Sequence, residues 1–278
     1  MNKKHAWHTA TVLTNGKVLV VGGSDSSGNF DSAELYDPST GIWTITGNTS
    51  TVRMQHSASL LLNGKVLVAG GSDGATTGGL NDRYRSNPEL YDPSTGNWAA
   101  IDNMNDRRLW HTTSMLANGK VLVVGGYGLN SAELFDPSTE TWTVTGSMND
   151  KRYLHTAAIL SNGKVLVAGG TDGYGRYRSA ELYDPLSGTW TSTGSMNTER
   201  FQHIASVLFD GKVLVTGGLS NTSLLSSAEL YDPSTGVWTI VDSMNFLREG
   251  YTQSILTNGK VLVTGGQNGG TMNTTEMY

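Results

Sequence analysis

The sequence predicts an all-β fold built from six small antiparallel sheets, and three observations carry the prediction. The first is a repeat. The stretch Asn63-Gly64-Lys65-Val66-Leu67-Val68-Ala69-Gly70-Gly71 has near copies beginning at Asn15, Asn118, Asn162, Asp210 and Asn258. The glycine pairs that close it fall at 22–23, 70–71, 125–126, 169–170, 217–218 and 265–266, and a near-constant period of this length marks a repeat architecture. The second is composition: 35 glycines among 278 residues, placed at the corners between short apolar runs. The third is that no segment carries a helical period.

One unit, residues 152–196, justifies the strands in order. His155-Thr-Ala-Ala-Ile-Leu160 is a short apolar run that reads as the first strand. Asn162-Gly163 is a strong hairpin signal and predicts a type I′ turn, in which both central residues take positive φ. Lys164-Val-Leu-Val-Ala168 is apolar at consecutive positions, which predicts a second strand buried on both faces. Ala180-Glu-Leu-Tyr183 is the third strand. Asp184-Pro185-Leu-Ser-Gly188 is a turn, with proline presetting φ and Asp bonding the backbone two residues on. Trp190-Thr-Ser-Thr193 is the fourth strand.

A four-stranded sheet buried on both faces is not stable alone, and radial stacking of such sheets into a β-propeller is the solution. The repeat carries Gly-Gly after an apolar strand, then a Tyr, then a Trp seven residues later: Tyr36/Trp43, Tyr91/Trp98, Tyr183/Trp190 and Tyr231/Trp238, with Phe135/Trp142 as a variant. This pattern resembles the kelch repeat over essentially the whole chain. It implies a six-bladed kelch β-propeller of four antiparallel strands per blade, one domain over 1–278, with repeat units near 1–48, 49–103, 104–147, 148–195, 196–243 and 244–278. Met-Asn opens five of the six units, at residues 1, 104, 148, 196 and 244, and Glu276-Met277-Tyr278 aligns with the third strand. Five Trp strands therefore serve six blades, and the last blade is expected to lack its Trp strand. Either blade six has three strands or the chain is a fragment of a longer, secreted protein. A bare edge would be open to pairing with another chain; otherwise a monomer is expected.

Formal net charge is −5 with 15% charged residues, which argues against nucleic-acid and anionic-membrane partners. No run of about 20 apolar residues is present to insert into a membrane. After Lys3 and Lys4 the sequence enters the first repeat with no apolar signal-peptide core, and the compartment stays open. There is no cysteine, so neither disulfides nor thiolate chemistry enter. No cofactor and no metal site are expected.

In an antiparallel blade the Asn-Gly and Asp-Pro turns share one end, and the longer, variable connections share the other. The turn end is uniform and carries Lys17, Lys65, Lys120, Lys164, Lys212 and Lys260, which reads as a solvated rim. All ten arginines fall at the loop end, as do Trp7 and Trp110, the two tryptophans that break the repeat. Variable loops on a rigid scaffold are the usual seat of function. Arg-x-x-His recurs at 53/56, 108/111, 152/155 and 200/203, with His5/His8 and Arg248/Tyr251 as variants. Glu34, Glu89, Glu133, Glu181, Glu229 and Glu276 match it one per blade, so a repeated buried ion pair is expected, with the His bonding backbone. The recurring Tyr and Trp are expected in the core between sheets.

The residues expected to bind are therefore those that depart from the repeat: Trp7, Arg83, Tyr84, Arg85, Arg107, Trp110, Tyr127, Tyr153, Asp172, Tyr174, Arg176, Tyr177, Arg178 and Phe201. Trp, Tyr and Arg dominate interface hot spots. The resulting expectation is a non-enzymatic binding module that holds a protein or a glycan on its loop face, with no catalytic residues. The alternative is a carbohydrate-active enzyme or sugar isomerase with its site at the loop-face channel mouth, where Asp172, Glu199 and Glu249 are the available acids. Galactose oxidase is similar in its kelch propeller, but its copper site uses a Tyr crosslinked to Cys, which this chain lacks. A sialic-acid mutarotase-like epimerase, the other kelch enzyme considered, would need an acid/base pair and an Arg at that mouth.

Overall fold

The computed structural model describes residues 1–2, 5–74 and 84–278. All regular structure among them is strand, arranged as six successive antiparallel sheets and one two-stranded ribbon, Ser24–Asp25 with Gly28–Asn29. Blade one comprises Thr9–Val12, Val18–Val21, Ala33–Asp37 and Ile42–Ile45, and blade two Ser57–Leu60, Val66–Ala69, Glu89–Asp92 and Asn97–Ala100. Blade three comprises Thr112–Met115, Val121–Val124, Ala132–Asp136 and Thr141–Thr145. Blade four comprises Thr156–Ile159, Val165–Ala168, Ala180–Asp184 and Thr189–Thr193. Blade five comprises Ile204–Val207, Val213–Thr216, Ala228–Asp232 and Val237–Val241, and blade six Thr252–Ile255, Val261–Thr264 and Thr275–Met277. The sixth sheet has three strands. The described residues group into two compact units: Met1–Tyr127 with Ala132–Thr145, and Gly128–Ser131 with Gly146–Tyr278.

The second strands form the core, because Val and Leu at consecutive positions cover both faces of a sheet. Val66–Ala69, Val121–Val124, Val165–Ala168 and Val213–Thr216 are buried throughout. In the first unit, Val66 and Val68 pack with Leu19, Val21 and Ala33 of blade one, while Leu67 and Ala69 pack with Val121, Val123 and Phe135 of blade three. In the second unit, Val213 and Val215 join Leu166, Ala168 and Ala180, and Leu214 joins Val261 and Val263. Each buried Val or Leu contributes roughly 1.5–3 kcal/mol. The fourth strands are largely exposed. What anchors them is the Trp, paired across the ladder with the third-strand aromatic at ring separations of 4.9 to 5.1 Å. Trp98, Trp190 and Trp238 donate Nε1–H to the carbonyls of Gly47, Gly146 and Gly194. Trp142 Nε1 is buried without a partner. Its blade follows Asp102 where the others follow glycine, and a side chain at Gly47 would collide with the Gly96 carbonyl.

The Asn-Gly turns correct the type I′ expectation. Gly16 has φ +80°, but Asn15 is not in the positive-φ region. Leu13 N–H donates to Lys17 O and accepts from Gly16 N–H at its own carbonyl. Three residues, Thr14 to Gly16, form the loop, which is a tight turn followed by a left-handed glycine in a bulge. Asn15 Oδ1 accepts from Lys17 N–H at 3.0 Å, so the asparagine contributes its side chain rather than its backbone freedom. The Asp-Pro turns follow the expectation. Asp37 Oδ1 accepts from Ser39 N–H at 3.0 Å, and Lys17 Nζ lies 3.2 Å from Asp37 Oδ2. The Ser39 bonds, with Lys17 beside them, hold the Asp37 carboxyl below the usual carboxylate range.

Candidate functional site: the loop end of the blades

Each blade begins at its loop end with a buried charge cluster. Arg53, Arg108, Arg152, Arg200 and Arg248 are fully buried. Each pairs with its blade's glutamate: Arg53 with Glu89, Arg108 with Glu133 at 2.9 Å, Arg152 with Glu181 at 2.9 Å, Arg200 with Glu229 at 3.0 Å and Arg248 with Glu276 at 2.8 Å. The same guanidinium donates to a Gly-Gly carbonyl, as Arg108 Nη1 does to Gly125 O at 2.8 Å. In blade one His5 takes this seat, with Nε2 3.5 Å from Glu34 Oε1 and Nδ1 2.7 Å from Gly22 O. The Met-Asn signature is explained here too. Asn2, Asn105, Asn149, Asn197 and Asn245 each donate backbone and side-chain N–H to the glutamate's second oxygen. Every oxygen of these buried carboxylates is thereby occupied, as burial of a charge requires.

The glycine pair serves the same junction. Gly71 N–H donates to Arg108 O of the next blade at 2.8 Å, and Gly170 N–H does so to Arg200 O. A Cβ on Gly70 would lie 2.6 Å from both Arg108 O and His111 Cε1, so glycine is required by close approach. Besides the backbone bonds of His111 to Ala69 and His203 to Ala168, the imidazoles make a contact the sequence did not show, from Nε2 to a hydroxyl one blade back. His56 meets Thr9 Oγ1 at 2.8 Å, His111 meets Ser57 Oγ at 2.7 Å and His203 meets Thr156 Oγ1 at 2.9 Å. In blade six Tyr251 OH reaches Thr216 Oγ1 at 2.7 Å in the same role. Burial, then a neighbouring arginine charge, drives the pKa of His56 and His203 well down and that of His111 to about 3. These imidazoles are neutral joints between blades.

Between each of these arginines (His5 in blade one) and the following His or Tyr lies a feature that sequence reasoning missed in part. The residue preceding that His or Tyr has a left-handed backbone: Trp7 (φ 57°), Gln55 (56°), Trp110 (57°), Leu154 (54°), Gln202 (53°) and Gly250 (60°). Gln55 N–H donates to Trp7 O, and Gln202 N–H to Leu154 O, both at 3.0 Å. The conformation thus serves blade-to-blade bonding, at a cost of about 1 kcal/mol or more for each residue other than glycine. The signal was Gly250, a glycine aligned with Gln, Trp and Leu.

The residues expected to bind fall in each unit as follows. In the first unit Tyr84, Tyr127 and Trp110 come together, with ring centroids 5.8 Å and 6.2 Å apart in sequence of contact. Trp7 is 58% exposed and Tyr127 40%. Arg85 is held by Asp73 at 2.8 Å, Arg107 is exposed, and Arg83 lies outside the described residues. In the second unit Asp172 Oδ1 accepts from Tyr174 N–H and Gly175 N–H at 2.9 and 2.8 Å. These bonds hold its carboxyl below the ordinary range, and Tyr177, bonded to it and half-buried, is pushed up to about 12. Tyr174 at the tip is 98% exposed. The Arg176 guanidinium lies 4.4 Å over the Phe201 ring and donates to Thr171 Oγ1 at 3.1 Å. Arg178 is exposed, and Tyr153 bonds Thr171 through its backbone. Of the acids considered for catalysis, Asp172 braces its own loop, Glu199 accepts from Asn221 at 3.3 Å and Glu249 pairs by backbone with Gln267. Among the described residues no three His, Asp or Glu form a group able to hold a metal ion.

The Kelch motif family matches residues 8–49 and 54–105, and the KLHDC2/KLHL20/DRC7 Kelch-repeats domain matches residues 110–278. The chain belongs to the kelch-repeat family. Its fold class is the expected all-β, six-bladed kelch β-propeller, the sixth blade having three strands where the others have four. Kelch propellers are typically protein-interaction modules and mostly non-enzymatic. No curated protein matches the chain. Among the described residues no helix is long and apolar enough to cross a membrane.

Proposed function

We propose that this kelch chain is a non-enzymatic interaction module whose ligand is a protein segment held at the loop end of the blades. The observation that carries this is the division of labour among its arginines and aromatics. The arginines that follow the repeat are buried and paired with their own blade's glutamate, and the repeat tryptophans stack on the third-strand aromatic of the same blade. Those that depart from it form partly exposed assemblies, Tyr84–Tyr127–Trp110 in one unit and Arg176–Phe201 in the other. Rigid aromatic anchors and a stacked guanidinium are the groups that dominate interfaces. At the turn end Lys17, Lys120 and Lys164 are already paired with the Asp of the neighbouring turn.

The test is selection of a displayed random-peptide library against the full chain, followed by affinity measurement on single variants. Trp110→Ala and Arg176→Ala are expected to weaken the selected peptides at least tenfold, and Lys164→Ala at the turn end to leave them unchanged. Loss of binding in Lys164→Ala with retention in both loop-end variants would sink the reading.

A further inference from the structure

We infer that the left-handed residue before the first-strand His is this protein's recognition position. In the first unit Trp7, Gln55 and Trp110, backed by Tyr84 and Tyr127, take an uncharged, proline- or aromatic-bearing segment of the partner protein; this rests on the loop end being the binding end. The backbone at this position is left-handed in all six blades. Blade six meets the requirement with Gly250, so the fold demands the φ and nothing more. Glycine adopts it freely, and Asn and Asp tolerate it. This chain instead places Trp, Gln, Trp, Leu and Gln there. Large side chains persist at such a φ only where something outside the local backbone selects them.

Full burial in the core is not that selection, because Trp7 is 58% exposed and Gln55, Trp110, Leu154 and Gln202 are only partly buried. The left-handed positions carry no charge; near them in the first unit Arg53–Glu89, Arg108–Glu133 and Arg85–Asp73 are paired, and Arg107 is exposed. Against those pairs a charged ligand group would lose its hydration without gaining a counter-ion. Flat indole and phenol faces beside a side-chain amide instead suit prolyl or aromatic rings and the intervening peptide bonds. Trp and Tyr also lose little rotamer freedom when a partner covers them.

The same argument makes an unusual test possible, because stability and binding should part company. Trp7→Gly relieves backbone strain at the most exposed of these positions, so the full-length variant is expected to melt at or above the wild-type temperature, whereas Trp110→Gly also gives up the contact with Tyr127 and is read by binding alone. Each is expected to lose at least 30-fold in affinity for peptides selected on the wild-type chain. Peptides sensitive to these variants should be uncharged and enriched in Pro and aromatic residues, with Lys65→Ala binding as wild type. A lower melting temperature for Trp7→Gly, its most exposed member, would mean that the side chain serves packing and would overturn the inference. So would sensitive peptides rich in acidic or basic residues. Peptides that bind but ignore both Trp variants while responding to Arg176→Ala overturn this inference and leave the loop-end reading standing. A library that yields no binder overturns both.

Discussion

Acidification should dismantle the blade junctions through their histidines, and His111 allows the effect to be worked out. Its ring is buried against the glycine pair of blade two, with Nε2 2.7 Å from Ser57 Oγ. Burial first, and the Arg108 charge second, lower its pKa from 6.5 to about 3. A base whose folded pKa is depressed favours the folded state when neutral. Its contribution is complete above the unfolded pKa and is lost as pH falls from 6.5 towards 3. Each pH unit in that window removes about 1.4 kcal/mol, so His111 alone costs about 2 kcal/mol at pH 5, a large share of a stability of about 5–15 kcal/mol. His56 and His203 act in the same direction. The assay is urea unfolding followed by tryptophan fluorescence at pH 7.5 and 5.0, on wild type and His111→Gln. The glutamine amide keeps a partner for Ser57 but does not titrate. The stability difference between the two pH values should shrink by about 2 kcal/mol in the variant. An unchanged difference would refute the assignment of acid lability to this joint.

Replacing Arg108 by Met should cost about 3–5 kcal/mol, because Glu133 is left buried without its counter-ion; chemical denaturation measures this, and a cost below 1 kcal/mol would contradict the pairing. Trp98→Phe should lose about 1 kcal/mol with the bond to Gly47 O, whereas Trp142→Phe, whose Nε1 has no partner, should be near neutral by thermal melting. Gly70→Ala should prevent folding or cost well above 3 kcal/mol, since its Cβ meets backbone and imidazole at 2.6 Å. Gly16→Ala, with nothing within 4 Å, should cost about 1 kcal/mol for φ alone, and equal losses at the two sites would refute the close-approach argument.

Strands and blades were legible in the sequence because they depend on local period. Val66 to Ala69 must be buried on both faces wherever the sheet sits, and Trp43 falls opposite Tyr36 once the Asp-Pro turn closes. The pairing of Arg with Glu was legible from their one-per-blade stoichiometry. The turn type was not, since Asn-Gly serves both a two-residue loop and the three-residue bulge found at Asn15 and Gly16. Only tertiary structure could decide between them, through the register of the flanking strands. It also decided that the histidines meet hydroxyls of the preceding blade, a contact between residues about 50 apart in sequence. The recognition column shows the limit most clearly. Trp7 and Trp110 drew notice by breaking the repeat, but Gln55, Leu154 and Gln202 look ordinary as letters. What distinguishes them is a positive φ imposed by hydrogen bonds between neighbouring blades. Residue identities state which side chains are present; only the packed blades state which of them the backbone holds under strain towards solvent.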